Sequence, residues 1–175
     1  MIKEVKGQAK VSLGLDVIWK SLTKELQFII PKLMPEQVEE GHVLEGDGGL
    51  GTVFLFNFSQ GNEVSGIKTL RYQKEKIVEL DETLHLLGLQ VVEGGHLDHS
   101  FSYYKTTFQL TAAHDAATAE TIVDVTVAYE FQAEPVKASH THMPSITMAH
   151  SLKFVKSLES YLLTNLVAAG SLTTG

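Results

Sequence analysis

The sequence predicts an α+β fold in which a seven-stranded antiparallel sheet curls around a long C-terminal helix, with two short helices between strands one and two. Three observations predict it. Most of the chain runs in stretches of apolar and β-prone residues separated by Gly-, Asn- and Asp-containing turns. Two short apolar stretches near the N-terminus stop around Pro31 and Pro35. Beyond Pro144 the apolar period changes from two to that of a helix.

In the first strand, Val5, Ala9, Val11 and Leu13 alternate with Lys6, Gln8, Lys10 and Ser12, the pattern of a half-buried strand. Asp16 is placed to cap a short helix carrying Val17, Ile18, Trp19 and Leu22, and a second short helix covers Leu26 to Leu33. Strand-like runs follow at Val38–Leu44, Thr52–Phe58, Ile67–Leu80, Leu84–Val92, Phe101–Leu110 and Thr121–Phe131. Asp47-Gly48-Gly49, Gln60-Gly61-Asn62, Asp81-Glu82 and Gly94-Gly95 punctuate them. In the final helix Met148, Leu152, Val155, Leu158, Leu162 and Leu166 recur every three or four residues, and Phe154 and Tyr161 widen the stripe to about half the circumference. A helix with so broad an apolar face needs a concave partner.

At 175 residues, with 43% apolar and 20% charged residues, the chain suits one domain with one core. The segment 168–175 is expected to be a loose tail. The 14 basic and 21 acidic residues give a net charge of −7, with no basic stripe, so nucleic acid is not an expected partner. There is no cysteine, which excludes disulfides, thiolate zinc sites and a cysteine nucleophile. No leader-like segment or long apolar run is present, so no membrane partner is expected and the expected location is cytoplasmic. The expected assembly is a monomer or weak homodimer.

The run Glu45-Gly46-Asp47-Gly48-Gly49-Leu50-Gly51-Thr52 looks phosphate-binding but lacks the Gly-Lys-Ser/Thr ending, and a strand rather than a helix follows it. It reads as a glycine-rich hairpin turn. His96 with His99, and His140 with His142, fall in predicted loops without helical ligand spacing, so they read as solvated histidines rather than a metal site. His150, on the long helix near Phe154, either hydrogen-bonds in the interior or sits at the helix edge. No metal or cofactor is expected.

The most informative polar groups lie on the strand Leu70–Val78. Alternation puts Arg71, Gln73, Glu75 and Ile77 on one face and Leu70, Tyr72, Lys74, Lys76 and Val78 on the other. Two lysines mark the second face as outward, so Gln73 and Glu75 point inward. A carboxylate beside an amide in an apolar interior suits a ligand with an NH, OH or carboxyl group; the alternative is a pair satisfied by water or neighbouring side chains. Phe54, Phe56 and Phe58 share one strand face, and Tyr104, Thr106 and Phe108 another.

Three stretches, Glu45–Thr52, Val92-Glu93-Gly94-Gly95 and Ser102-Tyr103-Tyr104-Lys105-Thr106-Thr107-Phe108, together with the two proline-bounded helices and the terminal helix, carry a resemblance. From about Met1 to Ala168 the chain resembles the birch major pollen allergen superfamily, the class-ten pathogenesis-related proteins, and looks most like their cytokinin-specific or phytohormone-binding branch. The resemblance implies a helix-grip fold around a cavity. It also implies binding of a small hydrophobic hormone or metabolite, such as a cytokinin or gibberellin, by a carrier, buffer or sensor rather than an enzyme. The branch's polar anchors fall on Gln73 and Glu75. The expected lining adds Leu22, Phe56, Leu87, Leu89, Tyr104, Thr106, Phe108, Thr147, Met148, His150, Ser151 and Phe154. A third anchor of the branch, a helix tyrosine, falls on Phe154, which lacks the hydroxyl; Ser151, His150 and Thr147 are the candidates to replace it. The segment Ser59–Gly66 is longer than in the branch and is expected to extend a hairpin at the cavity rim. The rival implication is an enzyme of specialised metabolism, performing a condensation like that of norcoclaurine synthase or an alkaloid isomerisation or cyclisation. Of that enzyme's tyrosine, glutamate, lysine and aspartate only the glutamate is matched, by Glu75; the other positions fall on Gln73, Leu87 and Thr106.

Overall fold

The computed structural model describes residues 1–60, 70–113 and 119–173, with side chains as far as Val167. Strands β1 (Lys3–Val11), β2 (Val38–Glu45), β3 (Val53–Phe58), β4 (Tyr72–Asp81), β5 (Leu86–Gly94), β6 (Phe101–Ala112) and β7 (Thr121–Phe131) form one sheet, in the order β1-β7-β6-β5-β4-β3-β2. Every neighbouring pair is antiparallel. Helices α1 (Leu15–Lys24) and α2 (Leu26–Leu33) lie between β1 and β2; α3 (Ala138–Thr141) and α4 (Met143–Thr173) follow β7. The predicted architecture is therefore present. Among the described residues no helix is long and apolar enough to cross a membrane.

The core lies between the concave sheet face and α4. Val123, Val125 and Val127 of β7 and Val155 and Leu158 of α4 are fully buried, as the periods of two and 3.6 require. Leu166 departs from the expected stripe: it is 52% exposed, beyond the turns of α4 that the sheet covers. The expected tail is helical through Thr173, and 174–175 lie outside the described residues.

Several local expectations are corrected. Asp16 does not cap α1; Gly14, with an extended ψ of 147°, occupies the cap, and Asp16 falls in the first turn, where its charge meets the positive end of the helix dipole. Helix α2 spans Leu26–Leu33 as expected, with Pro31 inside its last turn. Pro31 has no N–H for the carbonyl of Gln27. That carbonyl rests against Gly41 of β2, where a β-carbon would lie only 2.4 Å from the oxygen. The missing side chain thus lets α2 approach β2. Gly41→Ala is expected to push α2 outward and to cost ~1–3 kcal/mol in urea unfolding. Of the strand expected over Ile67–Leu80, residues 67–69 lie outside the described residues, and the described strand begins at Tyr72. Most of the hairpin extension expected over Ser59–Gly66 lies outside the described residues.

Candidate functional site

Two irregularities of the sheet build the site. Between Lys74 and Glu75 of β4 the register with β5 slips by one residue, a bulge that bends the strands where Gln73 and Glu75 stand. The β5–β6 ladder covers only Leu86–Gln90 against Lys105–Gln109. Beyond it the strands part, and the 3₁₀ turn Gly95–Asp98 that joins them packs against β4, β5 and β6, bringing His96 inside.

The concave side holds a cavity of about 170 Å³ lined by seventeen residues. Helix α2 and the segment after it contribute Leu26, Ile30, Met34 and Gln37; the sheet contributes Val38, Phe58, Gln73, Glu75, Leu89, Thr106 and Phe108; Leu70 precedes β4 and His96 sits in the 3₁₀ turn. Helix α4 contributes Thr147, His150, Ser151 and Phe154. A cavity of this volume is large enough for a benzene-sized ring. Among the described residues no lysine or arginine lines it.

The inward orientation of β4 follows the alternation: Gln73 and Ile77 are buried while Tyr72 and Lys76 face out. Outside, Glu93 accepts from Tyr72 at 2.9 Å and Lys74 at 2.8 Å, which anchors the solvent face. Leu70 lines the cavity rather than facing out, because it precedes the strand and its alternation does not apply.

Inside, Gln73 Nε2 donates to Glu75 Oε1 at 2.5 Å. Burial raises the Glu75 carboxyl to about 7, partly opposed by the bond from Gln73. Gln73 Oε1 faces His96 Nδ1 at 2.7 Å and its backbone N–H at 3.4 Å. Burial lowers His96 to about 3, helped by the nearby His99, so it is neutral at physiological pH. His96 Nε2 lies 3.3 Å from Thr147 Oγ1, which is 2.6 Å from the Tyr104 hydroxyl. The imidazole stacks on Tyr104 with centroids 3.8 Å apart and planes 15° apart. Tyr104 is held well above its ordinary pKa by burial.

Of the fourteen sequence-predicted residues, nine stand on the cavity wall: Gln73, Glu75, Leu89, Thr106, Phe108, Thr147, His150, Ser151 and Phe154. Leu22, Phe56, Leu87 and Met148 are buried in the core off this wall, and Tyr104 reaches it only through Thr147 and His96. Of the candidates to replace the missing tyrosine hydroxyl, Thr147 is engaged with Tyr104, and Ser151 donates to the Thr147 carbonyl at 2.8 Å. His150 lines the wall, its pKa lowered by burial and then by Lys153.

The reading of the loop histidines as solvated is corrected for two of them. His96 lines the cavity, and His140 is buried, its Nδ1 2.8 Å from Ser100 Oγ. Among the described residues no group of three or more His, Cys, Asp or Glu could hold a metal ion. Sequence reasoning also missed Leu26, Ile30, Met34, Gln37, Val38, Phe58 and Leu70. The Leu26–Ile30 spacing of four, on one helix face, was the available signal for two of them.

A sheet closed on a long helix around an apolar cavity with one polar spot defines a helix-grip protein. The chain belongs to the pathogenesis-related protein Bet v 1 family, whose model matches residues 14–165. It is 33% identical over 129 residues to norbelladine synthase of Narcissus pseudonarcissus, covering 73% of this chain and 74% of that one. It is 27% identical over 146 residues to the major strawberry allergen Fra a 1-E of Fragaria ananassa, covering 83% and 84%. Its fold matches ginseng major latex-like protein 151 from Panax ginseng with a TM-score of 0.75 at 20% identity, covering 93% of this chain and 98% of that one. It also matches norcoclaurine synthase from Thalictrum flavum with a TM-score of 0.75 at 24% identity, covering 93% and 87%.

Proposed function

We propose that the protein binds a small ring-bearing plant hormone or metabolite, of the cytokinin or gibberellin kind, in this cavity. It acts as a cytoplasmic carrier, buffer or sensor, as a monomer or weak homodimer. The observation that carries the reading is the Gln73–Glu75 pair standing as a polar spot in a mostly apolar wall, the composition of ligand pockets in general. Burying one ring system contributes ~2–4 kcal/mol, and a charge-assisted bond to Glu75 roughly 1.5–3 more, offset by the cost of association. Micromolar affinity is the expected scale. A thermal-shift screen of cytokinins, gibberellins, indoles and flavonoids tests it: a ligand at one hundred times its Kd stabilises by about 2.7 kcal/mol. No shift with any class would refute the reading.

A second reading is favoured by the likeness to norbelladine synthase and by a carboxyl poised near neutrality, suited to general acid–base work. Incubation with amine and aldehyde, read by chromatography, separates the two. A carrier returns both unchanged; an enzyme yields a new product that Glu75→Gln abolishes.

A further inference from the structure

We infer that His96 is a positioning residue that fixes the direction of the Gln73 amide and thereby selects ligands pairing a hydrogen-bond donor with a neighbouring acceptor. The selection rests on the ligand-binding reading above. While Glu75 is ionised, the amide of Gln73 has one admissible direction. Reversing it would set its NH₂ against the backbone N–H of His96 and its oxygen against Glu75 Oε1, 2.5 Å from the present nitrogen. With the oxygen turned to His96, Nδ1 must carry the imidazole proton and donate. Nε2 is then bare and accepts from the Thr147 hydroxyl, which accepts in turn from Tyr104. The chain Tyr104–Thr147–His96–Gln73–Glu75 therefore runs in one sense throughout. Stacking on Tyr104 holds the imidazole in plane, and its neutrality agrees with the burial that depresses its pKa. This arrangement uses both lone-pair directions of Gln73 Oε1 and one of its N–H groups. Among the described residues, the second Gln73 N–H and Glu75 Oε2 have no protein partner, and both side chains line the cavity. At this spot the cavity thus presents one donor beside one carboxylate acceptor, apart from Gln37 Oε1, a buried acceptor without a partner elsewhere on the wall. A ring lactam, with N–H next to C=O, matches that pair.

The test uses 2-quinolone and its N-methyl derivative, which differ only in the donor, together with ¹⁵N NMR of the ligand-free protein. At pH 8, where Glu75 is ionised, His96 is expected as the neutral Nδ1–H tautomer. Wild type should prefer 2-quinolone by about tenfold, the worth of ~1.4 kcal/mol. His96→Phe keeps a ring on Tyr104 without either hydrogen bond and should cut the preference to about twofold. His96→Asn, with an N–H near the place of Nδ1, should restore most of it. A purely structural role would weaken both probes alike and leave the ratio unchanged, which overturns the proposal. So does an Nε2–H tautomer or ordinary titration near 6.5. If wild type binds neither probe while the thermal-shift screen yields a ligand, the selection falls and the ligand-binding reading stands; if the screen also yields none, both fall, and the tautomer still decides whether the Gln73 lock exists.

Discussion

Glu75→Gln is expected to stabilise the ligand-free protein at pH 8 by up to ~3 kcal/mol and to leave its stability at pH 4 nearly unchanged. The sign follows from linkage. Burial raises the folded-state carboxyl from 4.5 to about 7, so between those values the folded protein holds a proton that the unfolded chain has released. Wild-type stability therefore falls as pH rises through that window and is flat above it. The interval from 4.5 to about 7, at 1.36 kcal/mol per pH unit, sets the upper limit. Glutamine keeps an oxygen for the Gln73 N–H without the charge. The same change should weaken a ligand that donates to the carboxylate by about 10- to 150-fold at pH 8, since hydrogen bonds to charged groups are worth ~1.5–3 kcal/mol. Urea unfolding at the two pH values and calorimetric titration at pH 8 check the two halves. A mutant less stable than wild type at pH 8 would mean that the carboxylate is satisfied rather than desolvated.

Gly95→Ala is expected to damage stability and binding together. Gly95 has φ of +51°, and an added β-carbon would lie 2.0 Å from Gln73 Oε1 and 2.8 Å from its carboxamide carbon. The left-handed backbone costs ~1–2 kcal/mol for a residue with a side chain. Displacing the Gln73 amide leaves buried partners on Glu75 and His96 unsatisfied, ~1–3 kcal/mol more. A total loss of roughly 2–5 kcal/mol in urea unfolding is expected. A double-mutant cycle separates the parts: in a Gln73→Ala background the substitution should cost only the backbone share. Full additivity would show that Gly95 serves the turn and not the amide.

The elements that could be read from the sequence are those whose period repeats long enough to fix a face. Strand β4 gave up Gln73 and Glu75 because two lysines mark its outer side. Strand β6 likewise placed Thr106 and Phe108. The eight-residue helix α2 is apolar on most sides, so the Leu26–Ile30 spacing competes with other apolar faces, and Met34 lies just past its end, where no periodicity points inward. His96 was missed for a different reason. It lies in a single 3₁₀ turn, where no periodicity exists, and its burial depends on β5 and β6 parting beyond Gln90, a feature of pairing rather than of local sequence. The Gly94-Gly95 pair was visible as a break; that its second glycine makes room for the Gln73 amide is visible only in three dimensions. The family resemblance rested on the same motifs, and the family match bears it out.

The ¹³C titration of the Glu75 carboxyl, free and saturated with the tightest ligand from the thermal-shift screen, decides whether Glu75 is a desolvated anchor that a ligand can pair. A cavity with a desolvated anchor predicts a midpoint near 7 in the free protein, falling by a unit or more when a donor on the ligand pairs with the carboxylate. A midpoint near 4.5 in both states would contradict it.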